Sequence, residues 1–178
     1  MSGHSKWSKV KHQKATTDVV KSAAFTKATH AIMIAAREGC GARLRLAVER
    51  ARAVNMPKEN IERAIAKVAG EGTVGIEQMT YEGYGPGSVA LLIHAATDNR
   101  QRTVSQIKNV LERAGGTLVS PGALNYVFER RGTSIEPKQE MSITLNDEQK
   151  RRIDALIEEL EELDDVQTVF TNLAQEGI

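Results

Sequence analysis

Residues 6–14, Lys6-Trp7-Ser8-Lys9-Val10-Lys11-His12-Gln13-Lys14, place four lysines and the only tryptophan within one short stretch. Phosphates are held well by cations that can approach without rigid geometry, and lysines on an extendable segment do this while releasing condensed counterions. Trp7 can stack on an exposed base or rest on the protein. The alternative for the same residues is a solvated tail with Trp7 as its anchor. His4 and His12 are metal-ligand types, but no cysteine or carboxylate at compatible spacing accompanies them. They read as further donors on the same basic surface, and no metal or other cofactor is expected.

Other candidate chemistry dissolves on inspection. Gly83-Tyr84-Gly85-Pro86-Gly87 has the look of a phosphate loop. A dinucleotide loop follows a strand and opens a helix, whereas this one precedes an apolar run, contains Pro86, and has Ser88 where the third glycine belongs. It reads as a tight turn that starts a sheet. His94 lies in an apolar run and Cys40 lies between two glycines with no local base, so no nucleophile or acid–base pair assembles and no enzyme is expected. Glu158, Glu159, Glu161, Glu162, Asp164 and Asp165 crowd the end of a helical stretch, where the helix dipole prefers cations. They are a solvated face, or a surface on which Glu158, Glu159, Glu162 and Asp165 meet a partner or the basic half.

The chain has 178 residues, 40% hydrophobic and 26% charged, a globular composition. Aromatic content of 4% argues against a single-strand binder built mainly on stacked bases. No apolar run approaches the ~18 residues of a membrane helix, and the opening residues lack the apolar stretch of a secretory signal. One cysteine suits a reducing compartment, so a cytoplasmic protein without a membrane partner is expected. The net charge of +1 conceals a division. Residues 1–67 hold fourteen bases against five acids, a net of +9, and the rest holds ten bases against eighteen acids, a net of −8. Charge asymmetry of this kind points to nucleic-acid contact by the basic half.

The elements that must carry these residues follow from periodicity. Residues 1–21 are a basic arm with too few large apolar groups for a core. Phe25, Ala28, Ile32 and Ala35 then mark a helix stopped by Gly39. Leu44, Ala47, Val48 and Ala51 mark a second, with Arg45, Glu49 and Arg52 outward. Pro57 opens a third, carried by Ile61, Ala64, Ile65 and Val68 and ended by Gly70. The three make a bundle over 22–70, followed by a linker over 71–80. In 81–178, Ser88 to Thr97 reads as a buried strand, and a helix follows with Val104, Ile107, Leu111 and Ala114 inward. Ala123 to Arg130 alternates as a strand, with Leu124, Tyr126 and Phe128 on one face. A short strand is expected between Thr133 and Leu145. A helix opening at Asn146 or Asp147 buries Ile153, Leu156, Ile157, Leu160 and Leu163, and Val166 to Phe170 is the last strand. The fold class is α+β: a three-helix bundle with a basic arm, then a ferredoxin-like βαββαβ domain.

Several stretches resemble the signature blocks of YebC proteins. They are Gly3-His4-Ser5-Lys6-Trp7, Lys11-His12-Gln13-Lys14-Ala15, Phe25-Thr26-Lys27, Asn55-Met56-Pro57 and Ile61-Glu62-Arg63-Ala64-Ile65. Tyr81-Glu82-Gly83-Tyr84-Gly85-Pro86-Gly87, Thr97-Asp98-Asn99-Arg100 and Asp164-Asp165-Val166-Gln167 continue the series, so the resemblance runs from residue 3 to about residue 172. It implies a helical domain followed by ferredoxin-like elements. It also implies transcriptional or translational regulation, with nucleic-acid or ribosome contact. Two departures stand out. Gly39-Cys40-Gly41-Ala42 replaces a longer loop between the first two helices, and the second ferredoxin-like domain that the family inserts after Arg131 is missing.

The expected function is therefore a regulator of gene expression that binds nucleic acid, RNA somewhat before DNA, with the ribosome as a candidate partner. Contact is expected from Lys6, Trp7, Lys9, Lys11, His12, Lys14, Lys21, Lys27, Arg43 and Arg45. The competing class is a protein-interaction module whose basic half docks an acidic protein.

Overall fold

The computed structural model describes residues 22–69, 75–131 and 134–174, and the chain divides into two compact units, Met1–Thr73 and Val74–Ile178. The arm over 1–21 and Gly70, expected to stop the third helix, lie outside the described residues.

The first unit holds helices α1 (22–37), α2 (Gly41–Ala53) and α3 (Lys58–Ala69). Ile32, Met33 and Ala35 are the buried stripe of α1, and Gly39 reverses the chain behind it at φ 66°. The inward residues of α2 are Ala47 and Ala51, small enough to let helices approach closely. Its end is a left-handed cap. Asn55 takes φ 59°, Asn55 N–H donates to Arg52 O at 2.9 Å, and Met56 N–H donates to Ala51 O at 3.0 Å. Met56 and Ala51 are both buried, as the apolar residues flanking such a cap usually are. Pro57 then precedes α3, where its missing N–H costs nothing, and its carbonyl accepts from Ile61 N–H at 3.2 Å. Ile61 and Ala64 face inward.

The second unit contains β1 (Glu77–Tyr84), β2 (Ala90–Thr97), α4 (Arg100–Arg113), β3 (Thr117–Val119), β4 (Phe128–Arg131), β5 (Ser134–Pro137), α5 (Asp147–Glu162) and β6 (Val166–Thr171). Its main sheet is antiparallel in the order β3-β1-β2-β6, and β4 with β5 forms a separate hairpin. One sheet face, with Val89, Leu91, Ile93 and Val166, packs on Ile107, Val110 and Leu111 of α4 and on Ile153, Leu156 and Leu160 of α5. The other face, through Ala90, Leu92 and Phe170, meets Leu124, Val127, Phe128 and Ile135 beside the hairpin. Asn146 caps α5 reciprocally: its side chain accepts from Gln149 N–H at 2.9 Å and Gln149 Oε1 accepts from Asn146 N–H at 3.2 Å.

The α+β class agrees with the sequence reading, with three helices preceding a sheet-and-helix domain. Chain routing differs in two places. Residues 77–84, read as linker and turn, form β1, a central strand paired along its length with β2. Its Gln78 and Thr80 are exposed and it carries Gly83, so it lacks the apolar run that announces a central strand. The strand expected over 123–130 begins only at Phe128. Residues 121–127 are turns, because the buried Glu82 carboxylate takes the N–H groups of Gly122 and Leu124, both at 2.7 Å. Leu124 and Phe128 are buried as expected, while Tyr126 is 52% exposed. The hairpin closes with Arg131 paired to Ser134, where the resemblance places the inserted domain in longer relatives.

Candidate nucleic-acid interface

Residues 22–69 carry nine bases and four acids. Among the described residues, Arg43 donates to the Glu38 carboxylate at 2.7 Å and Lys58 lies 3.5 Å from Glu62. The Glu38 contact also raises the Arg43 guanidinium above its ordinary pKa. Arg45 Nε donates to Gly41 O at 3.4 Å within its own helix turn. Lys27 is partly buried on α1. Arg37, Arg50, Arg52, Arg63 and Lys67 are exposed and have no ion pair among the described residues. Arg50 and Arg52 occupy the last turn of α2 and Lys67 that of α3, where the helix dipole favours cations.

Of the residues singled out from sequence, Lys27, Arg43 and Arg45 are therefore placed, the latter two on the first turns of α2. Lys6, Trp7, Lys9, Lys11, His12, Lys14 and Lys21 lie outside the described residues. The five cations without ion pairs were not singled out from sequence. Their signal is only visible once the helices are drawn. Asn60, Arg63, Ala64 and Lys67 recur at the spacing of a single face of α3.

That face of α3 borders a groove of about 210 Å³ shared with α1. Phe25 and Thr29 line it from α1, Met56 and Ala64 form its buried apolar part, and Asn60, Arg63 and Lys67 complete it. Three of the stretches that carry the family resemblance, those around Phe25, Met56 and Arg63, meet here.

The second unit uses its signature residues for structure. Asp165 is 1% exposed, and its carboxylate accepts from Arg102 at 2.8 Å, Thr103 at 2.7 Å and Thr97 at 3.2 Å. Asn99 meanwhile caps α4 by accepting from Arg102 N–H at 3.0 Å. Asp165 is accordingly no part of an exposed acidic face, contrary to the sequence reading: burial and three side-chain donors commit it inward. Glu159 is partly buried and paired with Arg113, while Glu158 and Glu162 remain exposed. The glycine-rich stretch, read as a tight turn that starts the sheet, instead ends β1 with Gly83 and Tyr84 and turns into β2 from Gly85, where it is closely packed. A Cβ on Gly85 would stand 2.6 Å from Ile153 Cδ1, and Gly87 takes φ 72° within the turn into β2. His94 is half-buried, edge-on to Phe170 at 5.1 Å, and burial lowers its pKa, with the Arg130 charge adding to the effect. Among the described residues no group of His, Cys, Asp and Glu could hold a metal ion. No helix among them is long and apolar enough to cross a membrane.

Comparison with known proteins places these features. Residues 5–71 match the TACO1/YebC protein N-terminal domain, and residues 76–141 match the TACO1/YebC second and third domain. A protein of Pseudothermotoga lettingae named "Probable transcriptional regulatory protein" is 42% identical over 97% of this chain and 70% of its own length. One of Chlorobaculum parvum with the same name is 46% identical over 97% of this chain and 71% of its own. The crystal structure of a conserved hypothetical protein from Aquifex aeolicus superimposes with a TM-score of 0.74 at 31% identity. It covers 88% of this chain and 92% of that one.

Proposed function

The chain belongs to the TACO1/YebC family, and from that premise we propose that it is a non-enzymatic regulator of gene expression that binds nucleic acid through its helical unit and the basic segment ahead of it. One observation carries the reading: five exposed cations of α1–α3, Arg37, Arg50, Arg52, Arg63 and Lys67, have no ion pair among the described residues. A surface kept only for solubility interleaves both signs. Cations left without acids are available to phosphates, and each phosphate contact adds counterion release to the binding free energy.

The relatives' names speak of transcription. RNA, with the ribosome as its carrier, is the target favoured here. A lysine-rich segment with Lys6, Lys9, Lys11, Lys14 and Lys21 suits an irregular backbone, Trp7 suits an unstacked base, and the short helices carry no evident major-groove reading residues. Lys27, Arg43 and Arg45 belong to the same basic surface, with His12 as a further donor. Glu158 and Glu162 on α5 offer a separate surface to a basic partner. The buried polar side chains of the second unit hold loops in place, so no catalytic step is assigned to them.

The test is recovery of the protein from cells with and without ribonuclease, followed by identification of what remains bound. Ribonuclease-sensitive association with ribosomes or RNA is expected, and changing Lys9, Lys11 and Lys14 together to Glu should abolish it. Unchanged association after that charge reversal would overturn the role of the basic segment. Ribonuclease-resistant recovery of an acidic protein would favour a protein-docking module instead.

A further inference from the structure

We propose that the groove between α1 and α3 receives a single unstacked nucleobase of single-stranded RNA, an inference that rests on the nucleic-acid reading above and gives it a site. Size limits the occupant. At about 210 Å³ the groove is smaller than the ~300–1,000 Å³ pockets that enclose drug-sized ligands and cofactors. One flat ring system is within its scale.

The chemistry of the walls selects the ring. Phe25 supplies an aromatic surface, Met56 a polarizable thioether, and Ala64 a small apolar floor. An apolar slot of this kind takes the face of a base, and stacking on an aromatic residue tolerates any of the four. Asn60, partly buried in the wall, has a side-chain amide that both donates and accepts, which matches a base edge. Arg63 and Lys67 are exposed at the groove and have no ion pair among the described residues, which favours a ring attached to an anionic group such as a phosphate. A phosphate-linked base satisfies all of these at once. An acidic peptide would satisfy the cations and leave the apolar slot unfilled. The low aromatic content of the chain fits one such slot and argues against an extended stacking platform.

The full-length protein is titrated with a short single-stranded RNA and with an abasic ribose-phosphate strand of equal length, each at several salt concentrations. The base-bearing strand should bind roughly 5- to 150-fold more tightly, the range expected for one base stacked on an aromatic side chain. Thr29→Phe fills the groove from α1 without removing a cation, and Asn60→Ala removes the edge contact. Both should shrink that ratio toward one and leave the salt dependence in place. Changing Arg63 and Lys67 together to Ala should weaken both strands alike and lower the salt slope by about one per lost phosphate contact. Circular dichroism checks that each variant is folded.

Equal binding of the two strands by the wild type overturns the inference while leaving the parent reading intact. So does a folded Thr29→Phe variant that keeps the full preference. If neither strand binds, the parent reading falls and this one with it. A third outcome is a change in Trp7 emission caused by Thr29→Phe in the absence of RNA. That would make the basic segment of the chain itself the occupant and would also overturn the inference.

Discussion

The guanidinium of Arg102, at the start of α4, donates to the carboxylate of Asp165 at 2.8 and 3.0 Å, across 63 residues of sequence. The Thr103 and Thr97 hydroxyls donate to the same carboxylate, and Ala96 N–H donates to the Asp165 carbonyl at 2.7 Å. One buried aspartate thus joins the end of β2, the first turn of α4 and the turn into β6. Replacing it takes a charged acceptor away from two buried hydroxyls, which keep each other at 2.8 Å and Asn99 O at 3.0 Å from Thr103. The arginine is 44% exposed and can return to water, so the loss is smaller than for a fully buried ion pair. Asp165→Ala should lower unfolding free energy by about 2–3 kcal/mol in urea titrations. Asp98→Ala removes only the exposed Arg102 partner and should cost less than about 1 kcal/mol. Equal effects would show that the network adds nothing to the surface pair.

Glu82 holds the loop that interrupts the expected strand. Its two oxygens each accept one backbone N–H, from Gly122 and Leu124, and the residue is 6% exposed. Glu82→Ala should cost about 2–4 kcal/mol, since two hydrogen bonds to a charged acceptor are lost and the buried Leu124 N–H is left without it. Amide hydrogen exchange should localise the effect, with protection lost first at Gly122 and Leu124. Uniform loss across the unit would contradict a local role.

His94 gives the stability a pH dependence. Burial in the sheet face, reinforced by Arg130, holds its imidazole below the ordinary 6.5. As pH falls through 6.5 the unfolded chain takes up a proton before the native one does. The unfolded state then binds more protons, and stability must fall. The His94 contribution is therefore fully present above the unfolded value and declines as pH drops below it. Urea midpoints for His94→Gln should fall less steeply over that interval than those of the wild type. A wild-type slope retained in His94→Gln would assign the dependence elsewhere.

The cations of the helical unit should separate binding from folding. Arg50→Ala and Arg52→Ala alter exposed side chains without an ion pair among the described residues, so stability should change by no more than about 0.5 kcal/mol. Affinity for nucleic acid should fall for each, with the salt slope reduced by about one per phosphate contact removed. The comparison is made by thermal melts and by binding isotherms at several ionic strengths. Loss of stability in step with loss of binding would mean that these arginines serve the fold.

Helix stops and cores were the most legible features. Gly39 follows α1, Pro57 opens α3, and Ile153, Leu156 and Leu160 mark the buried stripe of α5, because each effect is local or repeats at the helical period. Val110 and Thr103 of α4 escaped notice. Val110 widens an apolar stripe already accounted for, and Thr103 is buried only because Asp165 and Thr97 receive or give hydrogen bonds there. β3, three residues long, shows no alternation to detect.

The sequence by itself determined the class of the fold, the charge division and the family. Composition, periodicity and the order of the signature stretches survive without knowledge of neighbours. Tertiary structure alone decided where the side chains of those stretches go. Burial moved Asp165 from an apparent acidic surface into a hydrogen-bonded corner, because three donors, including a cation, await it there. Pairing with β2 made a central strand of residues 77–84, whose own side chains do not demand one. Helix packing brought Phe25, Met56 and Arg63 to one groove, a proximity that no spacing along the chain encodes.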